Sequence, residues 1–193
     1  GFPMTATAGP DRDGSGIDAA APPASLAVLP HTFSTAGLPH DHQFLAWSEW
    51  FNPLFDVTRR SAPPSEFLAE SKVWRLRGVA ISKTRGPSVR SERGAANIRR
   101  EPVDHWVVTI SNAGPARFLA HTDEIQAPVG VPFVWSMGLP SLCERPRIDR
   151  VQVLLPRDSF PHLAHRLDDA CGTVLGTVNL WALAVNEENA AGG

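Results

Sequence analysis

The chain has 193 residues, of which 42% are hydrophobic and 20% are charged, with 18 prolines and 15 glycines. This profile is ordinary for one globular domain and leaves little room for a second core. Its formal charge of −2 excludes an overall positive field that would attract nucleic acid or a membrane surface. Cys143 and Cys171 lack the spacing of a disulfide framework or a four-thiolate zinc site, which predicts reduced thiols in the cytoplasm. No apolar run approaches the roughly 18 residues of a membrane span.

The first 40 residues are predicted to form a flexible N-terminal tail. Residues 4–25 are mostly Ala, Gly, Pro, Ser and Asp, so ordering them would cost backbone entropy without burying large side chains. Four apolar residues then recur at helical spacing: Phe44, Trp47, Phe51 and Leu54. The periodic segment covers residues 41–55, and it predicts an amphipathic helix with Asp41 as N-cap that ends at Asn52, before Pro53.

Beyond Phe67 the hydrophobic period changes from helical to two, which is typical of strands with one buried face. Short strands are predicted around 73–80 and over 106–110, 116–120, 125–127, 133–135 and 150–155. The turn at 112–115 predicts a hairpin that joins the strands 106–110 and 116–120. Several short strands separated by turns favour an antiparallel barrel or jelly roll. Helical spacing returns after Pro156, so the chain is expected to close with helices.

Three motifs occur in a fixed order along the chain: Phe44-Leu45-Ala46-Trp47 with Pro53-Leu54, then Asp104-His105-Trp106-Val107-Val108, then Val153-Leu154-Leu155-Pro156-Arg157. With these motifs the chain resembles the N-terminal regulatory domain of AraC/XylS-type transcriptional activators from Phe44 to about Val185. The resemblance implies a mainly β fold with flanking α: a cupin-like antiparallel β-barrel (jelly roll), preceded by one helix and followed by a helical dimerisation arm. The implied organisation is a tail (1–40), helix plus barrel (41–157) and arm (158–193). Because eight residues follow Val185, a C-terminal helix-turn-helix DNA-binding domain is expected to be absent.

A domain of this kind would bind a small-molecule effector inside the barrel and form a homodimer. The expected effector-binding residues lie mostly on predicted strands: Trp74, Arg90, His105, Trp106, Val108, Phe133 and Trp135. Indole rings can line a barrel as well as fill its core, and an inward-pointing arginine would suit a carboxylate because its fork pairs with both oxygens. The expected dimer interface lies on the arm and consists of Leu163, Leu167, Val178 and Trp181.

The segment from Lys72 to Arg100 carries nine basic residues and one acid, Glu92. It lacks the interleaved aromatic residues on which bases stack. We therefore expect a solvated or domain-facing surface, and DNA contact only through the absent C-terminal domain.

His40-Asp41-His42 is the densest cluster of potential metal ligands, and His121 could add a third imidazole. In metal-dependent cupin enzymes the His-x-His pair lies on a strand, whereas here it precedes a helix. We therefore predict no metal, cofactor or catalytic residue, and a cytoplasmic, non-enzymatic sensor. A metal-dependent cupin enzyme and an empty barrel that only oligomerises remain the alternatives.

Overall fold

The structure is a computed structural model that describes residues 28–60, 66–114 and 116–176. Nine strands dominate it: β1 (His31–Ser34), β2 (Asp56–Arg59), β3 (Glu70–Leu76), β4 (Val79–Arg93), β5 (Trp106–Ser111), β6 (Ala116–Ala120), β7 (Asp123–Ala127), β8 (Phe133–Ser136) and β9 (Ser141–Leu155). The helices of this part of the chain are α1 (His40–Phe51), α2 (Ala95–Arg100) and α3 (Ala164–Ala170), with two single 3₁₀ turns between β9 and α3. All strand pairings are antiparallel. The predicted mainly β fold with flanking α is therefore confirmed.

The two longest strands, β4 and β9, pair with each other from Ala80 and Leu154 to Arg93 and Ser141. The first half of β4 also pairs with β3 and its second half with β2, while β9 pairs first with β6 and then with β5. One sheet therefore has the order β1-β3-β4-β9-β5-β8, and the other has β2-β4-β9-β6-β7. Sharing two long strands between two facing sheets produces a jelly roll.

Each long strand changes its buried side part-way along its length. On β4 the buried residues Ser82 and Thr84 precede the segment 86–88, and Val89 follows it. Gly86 allows a close approach at this point, because a Cβ there would lie 2.9 Å from the Cβ of Ala69. The change of buried side lets the same strand present inward-facing residues to both sheets.

Two groups of buried apolar residues form the core. The larger group packs β5 and β8 against β6, β7 and β9, and consists of Val107, Phe118, Ile125, Ala127, Phe133, Trp135, Met137 and Cys143. The second group holds α1 against the other end of the barrel and consists of Trp47, Phe67, Ala69, Val89 and Ile148. Burying large apolar side chains is the main favourable term in folding, so α1 is part of the same folded unit as the sheets.

The predicted first helix is present, but its start differs from the prediction. Its end is confirmed, because α1 is capped by Asn52, directly before Pro53. Asp41 as N-cap is wrong: Pro39 occupies the N-cap, without a side-chain cap hydrogen bond. Ordered structure also begins before the predicted tail boundary at residue 40, because β1 pairs with β3 from His31 to Ser34.

The predicted hairpin between 106–110 and 116–120 is wrong. Strand β5 pairs with β8 and β9, and β6 pairs with β7 and β9, so the intervening turn leads from one sheet to the other. The peptide N–H of Asn112 donates to the carbonyl oxygen of Asp149 (2.7 Å), which fixes this crossing. The residues at 112–115 are typical of a tight turn, but a jelly roll uses tight turns to change sheets as well as to form hairpins.

Helical structure does follow β9, although α3 has only seven residues. Residues 177–193, which form just under half of the predicted dimerisation arm, lie outside the described residues. Among the helices that the structure describes, none is long and apolar enough to span a bilayer.

Candidate functional site

A cavity of about 630 Å³ opens between the first sheet and the C-terminal end of α1. This volume falls within the range of roughly 300–1,000 Å³ that is typical of small-molecule sites. Most of its wall is apolar: Trp50, Phe51, Leu54, Phe55, Val73, Val79, Ala80, Val103, Val107, Trp135, Met137 and Leu154. Its polar side chains are fewer: Ser71, Arg75, Ser82, His105, Arg150 and Gln152. A concave apolar wall with a few convergent polar groups is the usual form of a ligand pocket.

Strand alternation places these side chains. Every second residue of β3 (71, 73 and 75) and of the end of β9 (150, 152 and 154) lines the cavity, because successive side chains of a strand point to opposite faces. The polar residues Arg150 and Gln152 therefore project into the barrel, although a polar face on a strand usually faces water.

Arg150 is the cation deepest in this wall. It lines both the large cavity and a second cavity of about 20 Å³ on the α1 and β6 side of the barrel. Its Nε is buried and has no hydrogen-bond partner, and no carboxylate of the described residues forms an ion pair with it. Burial, followed by repulsion from Arg145 and opposed by Cys143, lowers the pKa of Arg150 to about 9. The guanidinium is therefore protonated at neutral pH while it lacks a protein acceptor at Nε.

A buried hydrogen-bond group holds the neighbouring polar side chains. The hydroxyl oxygen of Thr109 accepts from Nε1 of Trp135 (3.0 Å) and from Nε2 of Gln152 (3.0 Å). Because Thr109 is fully buried, these bonds fix the indole and amide orientations in the absence of a ligand. The wall beside Arg150 is therefore preorganised.

His105 contributes a second unpaired polar atom to the cavity wall. Its Nδ1 is buried without a hydrogen-bond partner. Burial lowers the pKa of His105, with Asp104 and Asp158 acting in the opposite direction, so the imidazole is neutral near pH 7. A neutral ring with an unsatisfied nitrogen can exchange a hydrogen bond with a bound molecule.

The structure brings two of the seven predicted effector residues to the cavity, His105 and Trp135. The other five lie elsewhere: Trp74, Arg90, Trp106, Val108 and Phe133. Arg90 forms ion pairs with Glu92 (3.4 Å) and Glu144 (3.6 Å) outside the barrel, and Phe133 packs against Phe118 in the core.

Strand β5 faces the opposite way from the one that effector binding by Trp106 and Val108 would require. Val107 lines the cavity and Thr109 is bonded inside it, which puts Trp106 and Val108 on the other face. The reason is the partner of Trp106, whose Nε1 donates to the carboxylate of Asp168 on α3 (2.8 Å).

Arg157 completes a clamp between β5 and α3. Its guanidinium lies 4.3 Å from the ring centroid of Trp106 and pairs with Asp168 at 2.7 Å. The hydrogen bonds from Arg157 lower the pKa of Asp168, and the bond from Trp106 acts in the same direction. The clamp (Trp106, Arg157 and Asp168) thus attaches α3 to the outer face of the strand whose inner face lines the cavity.

The structure places two of the four predicted interface residues. Leu167 is buried within the chain and Leu163 is half-buried. Val178 and Trp181 lie outside the described residues. The dimer interface therefore stays a prediction.

The potential metal ligands do not converge on the cavity. His40 and His42 lie in the first turn of α1, where Nε2 of His40 is 2.8 Å from Glu66. His121 lies in the turn between β6 and β7. Within residues 28–60, 66–114 and 116–176, no group of three or more His, Cys, Asp or Glu side chains is arranged to hold a metal ion.

The basic segment is dispersed by the fold. Lys72 and Arg85 pair with Glu70 and Asp149, and Arg93 is buried. Arg75 lines the cavity and is exposed. Much of the positive charge that is contiguous in sequence is therefore paired, or separated, in space.

No protein-family model matches the sequence, and no curated protein matches it. Among solved structures, the AraC-like transcriptional activator CuxR superposes with a TM-score of 0.69 at 27% identity, over 84% of this chain and 59% of that one. The chain has the cupin-like regulatory fold of the AraC type. The predicted resemblance and fold class are thereby confirmed. This chain spans less than two thirds of the length of that activator.

Similarity to other cupins is lower. A cupin 2 conserved barrel domain protein from Rhodopseudomonas palustris gives a TM-score of 0.35 at 12% identity, over 61% of this chain and 90% of that one. The EutQ protein of Clostridium difficile gives 0.34 at 10%, over 48% and 71%. At these values the similarities carry no argument about the function of this chain.

Proposed function

We propose that this chain is the effector-sensing and dimerisation domain of a cytoplasmic AraC/XylS-like transcriptional regulator and that it is not an enzyme. The observation that carries the proposal is the cavity of about 630 Å³ with its mostly apolar wall and unpaired polar groups. The similarity to an AraC-like activator supports a regulatory role. DNA would be bound by a separate unit of the full-length regulator.

A ligand in the cavity can affect the positions of two helices, α1 and α3. Trp50 and Phe51 at the end of α1 form part of the cavity wall, so a ligand contacts a helix as well as the sheets. On β5, Val107 touches the cavity and the adjacent Trp106 holds α3. An effector that binds one arrangement of these helices more tightly shifts the population towards it, by no more than the difference in affinity between the two arrangements.

A small-molecule screen read by tryptophan emission tests the sensing function. Trp50 and Trp135 lie in the wall, so occupancy should change their emission. The substitution Ala80→Phe would place a ring in the cavity and abolish the response. Ile81→Phe, on the other face of the same strand, is the matched control and should retain it. Equal responses from both variants, each with a wild-type melting temperature, would contradict binding in the barrel.

Self-association is tested separately by sedimentation of wild-type protein and Trp181→Ala. We expect a homodimer that the substitution weakens, because large aromatic residues often anchor interfaces. A wild-type monomer at high concentration would refute the dimerisation part of the proposal and leave the sensing part intact. Stoichiometric transition metal in protein purified without an affinity tag would favour the cupin-enzyme alternative instead.

A further inference from the structure

We propose that the cavity binds an amphiphilic monocarboxylate, with its carboxylate paired to the guanidinium of Arg150 and its apolar body against the end of α1. The inference rests on the proposed sensing function and adds the chemical class of the effector. It follows from a contrast among the buried arginines of the described chain.

The other two arginines with buried guanidinium nitrogens have protein acceptors. Arg93 donates to four backbone carbonyl oxygens at 2.7 to 3.1 Å. Arg145 donates through Nε and Nη2 to the sulfur of Cys143, at 3.0 and 2.8 Å, although its Nη1 is buried without a partner. Arg150 has no comparable acceptor, and its buried Nε is unpaired. A buried guanidinium nitrogen without an acceptor is costly, and the cavity beside Arg150 leaves room for an acceptor that arrives with a ligand.

No carboxylate of the described protein is placed to serve that role. Asp149 is next in sequence, and its Oδ1 is buried without a partner, but the residue lies on the other face of β9, where its Oδ2 is 3.6 Å from Arg85. Glu144, the acid earlier on β9, is surrounded by Arg60, Arg90 and Arg117. An exogenous anion is therefore the group that satisfies Arg150, and a carboxylate fits best because it can accept two parallel hydrogen bonds from one guanidinium.

The rest of the wall sets the charge and shape of the ligand. Arg145, whose charge repels that of Arg150, lines neither cavity, and Arg75 is exposed. A dianion would therefore leave one negative charge unpaired against apolar surface. Trp50, Phe51 and Leu54 cover the α1 side of the cavity, which suits a hydrocarbon chain or ring.

The proposal is tested with four probes of matched chain length: octanoate, octan-1-ol, octylamine and octyl phosphate. Binding to the full 193-residue chain is measured at pH 7.5 by calorimetry and tryptophan emission. We expect octanoate to bind at least tenfold more tightly than octan-1-ol, because hydrogen bonds to charged groups are the stronger ones. The same margin is expected over octylamine, whose charge repels Arg150, and over octyl phosphate, whose second negative charge would be unpaired. Tighter binding of octyl phosphate, or equal binding of octanoate and octan-1-ol, overturns the assignment of a monocarboxylate.

Two variants locate the carboxylate. Arg150→Met should lose the preference for octanoate over octan-1-ol while it retains octan-1-ol binding. Arg147→Met, at an exposed position on the same strand, should leave both affinities unchanged. Because Arg150→Met removes an unpaired buried cation, its melting temperature without ligand should equal or exceed that of the wild type. An unchanged octanoate preference in a folded Arg150→Met variant overturns the role of Arg150.

Failure of this inference is distinguishable from failure of the proposed function. If octan-1-ol and octanoate bind equally and Ala80→Phe abolishes both, the cavity is a ligand site without the proposed anion selectivity. If no probe binds and the wider screen also yields no ligand, both proposals are refuted.

Discussion

The largest loss of stability from a single substitution is expected at Arg93. It is fully buried on β4, and its guanidinium donates to the carbonyl oxygens of Leu54, Glu101, Val103 and Met137. One side chain thus ties together the end of α1, the segment after α2 and the turn between β8 and β9. Arg93→Met keeps the length of the side chain but removes all four hydrogen bonds.

The magnitude follows from the fate of the four acceptors. At about 1 kcal/mol each, the lost bonds destabilise the fold by about 4 kcal/mol. Part of this is offset because Met does not carry a charge into the interior, a cost seen in the direction of the Arg93 pKa, which burial lowers while Glu101 acts in the opposite direction. We expect a net loss of about 2 to 4 kcal/mol in the free energy of unfolding, a large part of the total for a domain of this size.

Urea denaturation of wild-type protein and of Arg93→Met measures the effect. Arg90→Met is the control, because Arg90 lies on the same strand but forms exposed ion pairs, and such pairs contribute about 0 to 1 kcal/mol. A loss below about 1 kcal/mol for Arg93→Met, with an unchanged denaturant slope, would show that water or relaxed backbone replaces the guanidinium. That result would refute the view that Arg93 holds these segments together.

Two further predictions concern the clamp between β5 and α3 and the close approach at Gly86, where β4 changes its buried side. Asp168→Asn should weaken the attachment of α3 and increase amide hydrogen exchange there. The pKa of the Asp168 carboxylate is lower in the folded state than its ordinary value of 3.8. The difference in stability between wild type and Asp168→Asn should therefore be present above the ordinary pKa and disappear as the pH falls below it. A constant difference from pH 7 to 2 would contradict the ion pair with Arg157. Gly86→Ala should lower the melting temperature, because the new Cβ would lie 2.9 Å from the Cβ of Ala69. Gly37→Ala is the control and should not lower it, because a Cβ there has nothing within 4 Å. Equal melting temperatures of the two variants would mean that the backbone adjusts.

Sequence patterns predicted the parts of the fold that depend on local rules. The helix over Phe44 and Trp47 follows from its apolar spacing, and its end follows from Pro53. Alternation over 73–76 predicted β3, but the predicted strand continued to Ala80, whereas the chain turns at Arg77 and Gly78. Strand β4 was not predicted beyond Ala80. The polar, basic segment that follows has no regular apolar face, because the buried side changes near Gly86. Long-range pairing with β9 makes it a strand.

The cavity shows why site residues are harder to predict than strands. His105 and Trp135 were selected for their side-chain chemistry, and both line the wall. Arg150 and Gln152 were not, because alternation with Val151 and Val153 gives the pattern of a solvated face. Alternation separates two faces but does not say which is inside. Where polar side chains line part of a barrel interior, that choice depends on the partners across the sheets.

The ladder between β4 and β9 also bears on how the domain is made. Ala80 pairs with Leu154, and Arg93 pairs with Ser141, so its two strands are separated by the whole segment that forms α2 and β5 to β8. During synthesis, β4 must wait for β9 to leave the ribosome before either sheet can be completed. Contacts between distant segments slow folding, and an unpaired β4 edge invites association with other chains. Truncations that end before residue 155 should therefore accumulate as aggregates.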